Sequence, residues 1–112
     1  SKDTLLLLEP GFTDPAYPGE RFICPDCNPI EGLLAADPSR AERLEIKRLP
    51  FPATEAVIDA LDDQHQGLPV LIFGDEQAVP EDAQTTSGRH FVSDSRRILE
   101  LLAQRHGFPR LH

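Results

Sequence analysis

The chain has 112 residues, 39% hydrophobic and 27% charged, which suits one folded domain with a single core. Its net charge of −8 repels phosphate backbones and argues against nucleic acid as a partner. The longest pure apolar run, residues 5–8, falls far short of the ~20 residues of a membrane-spanning helix, so no membrane is expected.

Thr4–Leu8 (TLLLL) is a continuous apolar run ended by Pro10 and Gly11, which suits a buried strand of a parallel sheet. Residues 10–20, PGFTDPAYPGE, carry three Pro and two Gly and read as a loop. Its Phe12 and Tyr17 either wall the pocket of the cysteines that follow or are simply solvated. Asn28–Ala36 reads as a helix with Ile30, Leu33 and Leu34 on one face, and residues 38–44 add a short helical piece after Asp37-Pro38. Residues 44–49 (LEIKRL) alternate as a half-buried strand does. Residues 53–66 repeat apolar side chains at helical spacing, closed by Gly67. Residues 70–73 form a second apolar strand. The polar stretch 74–89 is expected to be a long loop, mobile or functional. Residues 90–92 are a short strand candidate. The clearest helix is 93–106, with Ile98, Leu99, Leu101 and Leu102 as its apolar face, Gly107 as C-cap and Pro109 beyond.

The expected order is β-α-β-α-β-β-α: an α/β domain spanning residues 1–112, with a mixed four-stranded sheet and three main helices. The third and fourth strands are expected to be joined by a hairpin-like loop.

The chemistry lies in RFICPDCNPIEGLLA, residues 21–35. Cys24 and Cys27 are the only cysteines, spaced C-x-x-C before a helix-like run. A bridge between such close neighbours closes a tiny loop and stabilises little, so the pair suits chemistry better than structure. Redox chemistry needs Cys24 as a thiolate, which a helix N-terminus favours, with Cys27 one turn on to resolve a mixed disulfide. Asp26 between them opposes a second anion. Two helix starts compete. Cys24 can cap a helix in which Pro25 takes the first position. Alternatively Asn28 caps, with Pro29 first and Glu31 third, a capping-box pattern. Pro29 has no N–H to give Pro25, which opposes the first start. A metal site would need four ligands, and the chain offers one C-x-x-C with scattered His65, His90, His106 and His112, so no metal ligands are assigned. The histidines are expected at the surface, with His106 favourably near a helix C-terminus.

The C-x-x-C after the first strand, the Leu68-Pro69 opening the third and the element order resemble the thioredoxin-like fold, over nearly the whole chain. Cys24-Pro25-Asp26-Cys27 is most similar to glutaredoxin. The chain also resembles a small bacterial family of thioredoxin-like proteins without an assigned function. SDSRRILELL, residues 93–102, resembles the helix start of glutathione transferase N-terminal domains. Only a few residues follow Gly107, so the transferases' all-helical second domain is not expected. The resemblance implies a thiol–disulfide oxidoreductase with Cys24 as nucleophile and Cys27 as resolver. It implies a cis-proline at Pro69, which presents the backbone of Leu68 to a thiol peptide. Asp94 and Ser95 would hold the γ-glutamyl end of glutathione. No tightly bound cofactor is implied. Glutathione would be a co-substrate, and glutathione or a protein disulfide the partner. A cytoplasmic location is expected, since no signal-peptide pattern is visible. Asp94 and Ser95 also read as plain helix-capping residues, and Arg96 and Arg97 as ordinary helix residues that are also candidates to meet glutathione's carboxylates. Two rivals stand beside the enzyme: a non-catalytic thioredoxin-fold binding module that pairs a peptide along residues 68–70, and a metal-binding domain built on the C-x-x-C.

Overall fold

A computed structural model describes residues 1–65 and 67–112. The elements in chain order are β1 (Thr4–Leu8), α1 (Asn28–Ala36), α2 (Pro38–Ala41), β2 (Glu45–Leu49), α3 (Thr54–Ala60), β3 (Val70–Ile72), β4 (Gln84–Thr86), β5 (Arg89–Val92) and α4 (Ser95–His106). One open mixed sheet has the order β2-β1-β3-β5-β4. β1 runs parallel to β2, and the β1–β3, β3–β5 and β5–β4 pairs are antiparallel.

β1 is central and covered on both faces, which is why it reads as an unbroken apolar run. Leu5 and Leu7 point to one face, where they join Ile30 and Leu34 of α1 and Ile98, Leu101 and Leu102 of α4. Leu6 points to the other, where it meets Val57 of α3, Leu61, Val70 and Phe91. The domain is therefore three layers: α1 and α4, the sheet, and α3. Leu5, Leu6 and Leu7 are each at most 2% exposed, and full burial of such a side chain contributes about 1.5–3 kcal/mol.

Three expectations are corrected. The sheet has five strands, not four, because β4 lies inside the stretch read as a loop. Thr85 and Thr86 suit a strand, and Ser87 and Gly88 take positive φ (49° and 74°) in a two-residue hairpin turn that sets Thr86 opposite Arg89. The helix expected over 53–66 stops at Ala60. Just beyond it, the Asp62 carboxylate accepts the backbone N–H groups of Gln64 and His65, an Asx-type turn that competes with helix. Residue 66 lies outside the described residues.

The third correction concerns His106, which is buried rather than on the surface. Its Nε2 lies 2.8 Å from Oδ2 of Asp3, which is itself 3% exposed. Asp3 also accepts Nε and Nη2 of Arg105 at 2.8 and 3.0 Å and the backbone N–H of Gly74 at 2.8 Å. Burial alone would raise the Asp3 carboxyl. Hydrogen bonds from His106, Arg105 and Gly74 more than offset that and hold it well below the usual carboxylate range. This cluster ties the start of β1 to the last turn of α4.

Candidate functional site

The register gathers the predicted site residues at one end of the sheet. Cys24 and Cys27 lie on the connection leaving β1. Leu6 pairs with Val70, so the chain entering β3 through Leu68 and Pro69 runs beside the end of β1. Leu71 pairs with Val92, so the chain leaving β5 for Asp94 and Ser95 runs beside the start of β3. The Leu68–Pro69 peptide is cis, and so is Phe51–Pro52. Pro69 is fully buried, and Leu68 and Cys24 both pack against the core cluster on the α1 and α4 face.

The regular part of α1 begins at Asn28, but Asn28 is not its cap. The cap position is Cys27, already helical at φ −83° and ψ −31°. A turn precedes it: the Cys24 carbonyl accepts the N–H groups of Cys27 (3.2 Å) and Asn28 (2.9 Å), and the Cys27 carbonyl accepts Glu31 (3.1 Å). The Cys27 N–H also donates to Cys24 Sγ at 3.2 Å. Cys24 thus does for this turn what a serine does at an N-cap.

The two thiols are both free and differ in access. Cys24 is half-buried and Asp26 is exposed. Cys27 is 1% exposed and belongs to the core cluster. Burial pushes its thiol up to about 12, with the Cys24 hydrogen bond and the Asp26 charge adding and the Leu8 backbone N–H opposing. At neutral pH Cys27 is a protonated, apolar-packed thiol.

The connection from β1 to Cys24 is folded, not merely solvated. Gly11 N–H donates to the Phe22 carbonyl and Phe22 N–H to the Phe12 carbonyl, each at 2.8 Å. Phe12 packs on Phe22 (5.8 Å between centroids) and on Phe51 (5.5 Å), and Tyr17 meets Phe22 edge-on at 5.7 Å. Sequence reasoning named Phe12 and Tyr17 but missed Phe22 and Phe51, whose only signal was their aromatic character beside Pro-rich turns. Asp94 and Ser95 stand at the start of α4. The exposed Asp94 carboxylate accepts Arg97 N–H at 2.9 Å as the helix N-cap. The Arg97 guanidinium is bound to Asp82 and Glu100. Among the described residues no group of three or more His, Cys, Asp and Glu side chains is arranged to hold a metal ion. No helix among them is long and apolar enough to cross a membrane.

These features define an α/β domain whose cysteine pair lies on the connection leaving β1, at the end of the sheet where a cis-proline leads into β3. The chain belongs to the family described as protein of unknown function (DUF3088), whose profile matches residues 2–110. No curated protein and no solved structure matches it significantly.

Proposed function

We propose that the chain is a thioredoxin-like, glutaredoxin-related thiol–disulfide oxidoreductase, with Cys24 as nucleophile and Cys27 as resolving cysteine. The observation that carries this reading is the turn in which Cys27 N–H donates to Cys24 Sγ, at the sheet end where the cis Leu68–Pro69 peptide begins β3. Support for the fold comes from the strand directions. A parallel β1–β2 pair followed by antiparallel β3 and β5 is the thioredoxin-like pattern, with β4 as an added edge strand and α2 as an added turn. The accessible sulfur attacks, and the buried one, one turn on, releases the product. The backbone of Leu68 pairs with the substrate segment. Glutathione, with Asp94 and Ser95 at its γ-glutamyl end, and a protein disulfide are the two substrate classes of this reading. A reducing compartment such as the cytoplasm suits free thiols.

A second reading is a binding module that has lost catalysis. Its support is the Cys27 thiol, raised to about 12 in a packed core, and the carboxylate of Asp26 beside the pair.

Trapping separates the two. The reduced protein and its Cys24→Ser and Cys27→Ser variants are mixed with a small aromatic disulfide and examined by intact mass. The enzyme reading expects the Cys27→Ser variant to accumulate one adduct, at Cys24, and the native chain to pass through it to an internal disulfide. An adduct-free native protein whose thiols react only in denaturant removes the enzyme reading and supports an inert scaffold, as the binding module requires.

A further inference from the structure

The cysteine pair has a neighbour that the exchange chemistry does not explain. The connection from β1 to Cys24 builds an aromatic ledge from Phe12, Tyr17 and Phe22, joined by Phe51, and Ile23 lies between Phe22 and Cys24 in the chain. Its outer members are open to solvent: Tyr17 is 54% exposed, Ile23 55% and Phe51 39%. Large side chains left this open next to a reactive group suit a partner with apolar side chains of its own.

The charge around the ledge has one sign. Residues 9–27 carry Glu9, Asp14, Glu20 and Asp26 against the single cation Arg21. The Nε of Arg21 donates to the Gly11 carbonyl at 3.2 Å. Arg48, on the strand beside β1, is held bidentately by Glu31, and Arg97 by Asp82 and Glu100. Of the two cations at the start of α4, Arg97 is therefore engaged within the chain and Arg96 is exposed, while the segment that builds the ledge carries an excess of negative charge. Glutathione disulfide is an anion and would approach against that field.

We propose that the ledge docks a polypeptide whose disulfide is flanked by apolar and basic residues, and that this class of substrate, not glutathione disulfide, is what the cysteine pair reduces. The inference rests on the exchange reading above. In the step, Cys24 thiolate attacks one sulfur of the peptide disulfide. A new S–S bond to Cys24 forms, the substrate S–S bond breaks, and its electron pair leaves on the other sulfur, which takes a proton from water. Cys27, after losing its proton to solvent, attacks Cys24 Sγ and expels the second peptide thiolate. Counted from the Cys24 thiolate, the protein gives up two electrons and one proton and ends as the Cys24–Cys27 disulfide; the substrate gains two electrons and one proton and leaves as one thiol and one thiolate.

The test is single-turnover oxidation of the reduced protein by three probes: the disulfide-linked dimer of the acetylated amide Lys-Phe-Cys-Ile-Lys, its counterpart with Glu for Lys, and glutathione disulfide. Each rate is divided by that probe's rate with dithiothreitol. At low salt the Lys peptide should react at least about ten-fold faster than either anion, and raising the salt to about 1 M should bring the two peptides together. A Tyr17→Ser/Ile23→Ser double variant should lose several-fold on the Lys peptide and keep its rate on glutathione disulfide. The inference is overturned by a Glu peptide or glutathione disulfide that reacts as fast as the Lys peptide, or by a double variant slowed equally on all three. If no probe oxidises the pair, and a small aromatic disulfide does not either, it is the exchange reading itself that falls, and this inference with it.

Discussion

Removing the Asp3 carboxylate tests how the two ends of the fold are held together. In the native chain it accepts four hydrogen bonds of 2.8–3.0 Å from Gly74, Arg105 and His106. Asp3→Ala leaves the Arg105 guanidinium, 7% exposed, without its carboxylate. Breaking a buried pair on one side costs about 3–5 kcal/mol. At about 4 °C per kcal/mol for a domain this size, the melting temperature should drop by roughly 12–20 °C. Asp3→Leu combined with Arg105→Met should recover a large part, because neither charge is then stranded. The pH dependence has a definite sign. Asp3 titrates lower folded than unfolded, so its contribution is present above the unfolded value of about 3.9 and lost as pH falls through and below it. Urea unfolding of native and Asp3→Asn protein should therefore differ most near neutrality and converge below about pH 4. An Asp3→Ala protein within 1 kcal/mol of native, or an Asp3→Asn gap that widens in acid, refutes the account.

Two further outcomes follow from the site. Because burial raises the Cys27 thiol, release of a Cys24 mixed disulfide should go on accelerating as pH passes about 8.5; quenched-flow mass spectrometry reads this, and a rate that levels off near pH 8.5 is incompatible with the buried thiol. Asp94→Ala should cost about 0.5–2 kcal/mol in chemical unfolding through the lost N-cap, with Asp94→Asn close to native. If Asp94 serves only as the cap, exchange with every disulfide keeps its native rate in the folded variant; a loss confined to glutathione disulfide would restore the glutathione role.

Much of the α/β order was readable, for definite reasons. TLLLL has too few polar residues to be anything but an element covered on both faces, and α4 carries an apolar stripe, an acidic cap and a C-terminal glycine that takes φ 75°. What escaped depends on tertiary partners. β4 is three polar residues, visible only as the far arm of a Ser-Gly turn that needs β5 to pair with. The end of α3 was hidden because apolar spacing continued while Asp62 drew the next two N–H groups into a turn. His106 looked like a terminal charge balancing a helix dipole, and only the fold brings it to a carboxylate 103 residues away. The cysteine pair and Pro69 were legible as motifs. The ledge was half legible, since Phe51 joins Phe12 from beyond the end of β2, the strand beside β1.

The two competing starts of the first helix resolve into one arrangement that neither describes. Pro29 cannot donate to Pro25, and the ladder of hydrogen bonds passes from Asn28–Cys24 to Glu31–Cys27, so it is interrupted there. The rungs on either side remain, Asn28 to Cys24 and Glu31 to Cys27, so the turn that bears the cysteines stays in line with the helix. That continuity decides which sulfur can do what. Cys24 begins the turn, at its open side, where its sulfur takes the N–H a capping hydroxyl would take. Cys27 comes three residues later, on the face that carries Ile30 and Leu34 into the core. In the proposed exchange an incoming disulfide would meet the half-buried first sulfur and not the buried second. The second can act only once a bond to Cys24 has brought an electrophile within one turn of it. On that proposal the order of attack follows from the turn's own geometry, and Pro29 lies where the turn bearing the cysteines meets the regular helix.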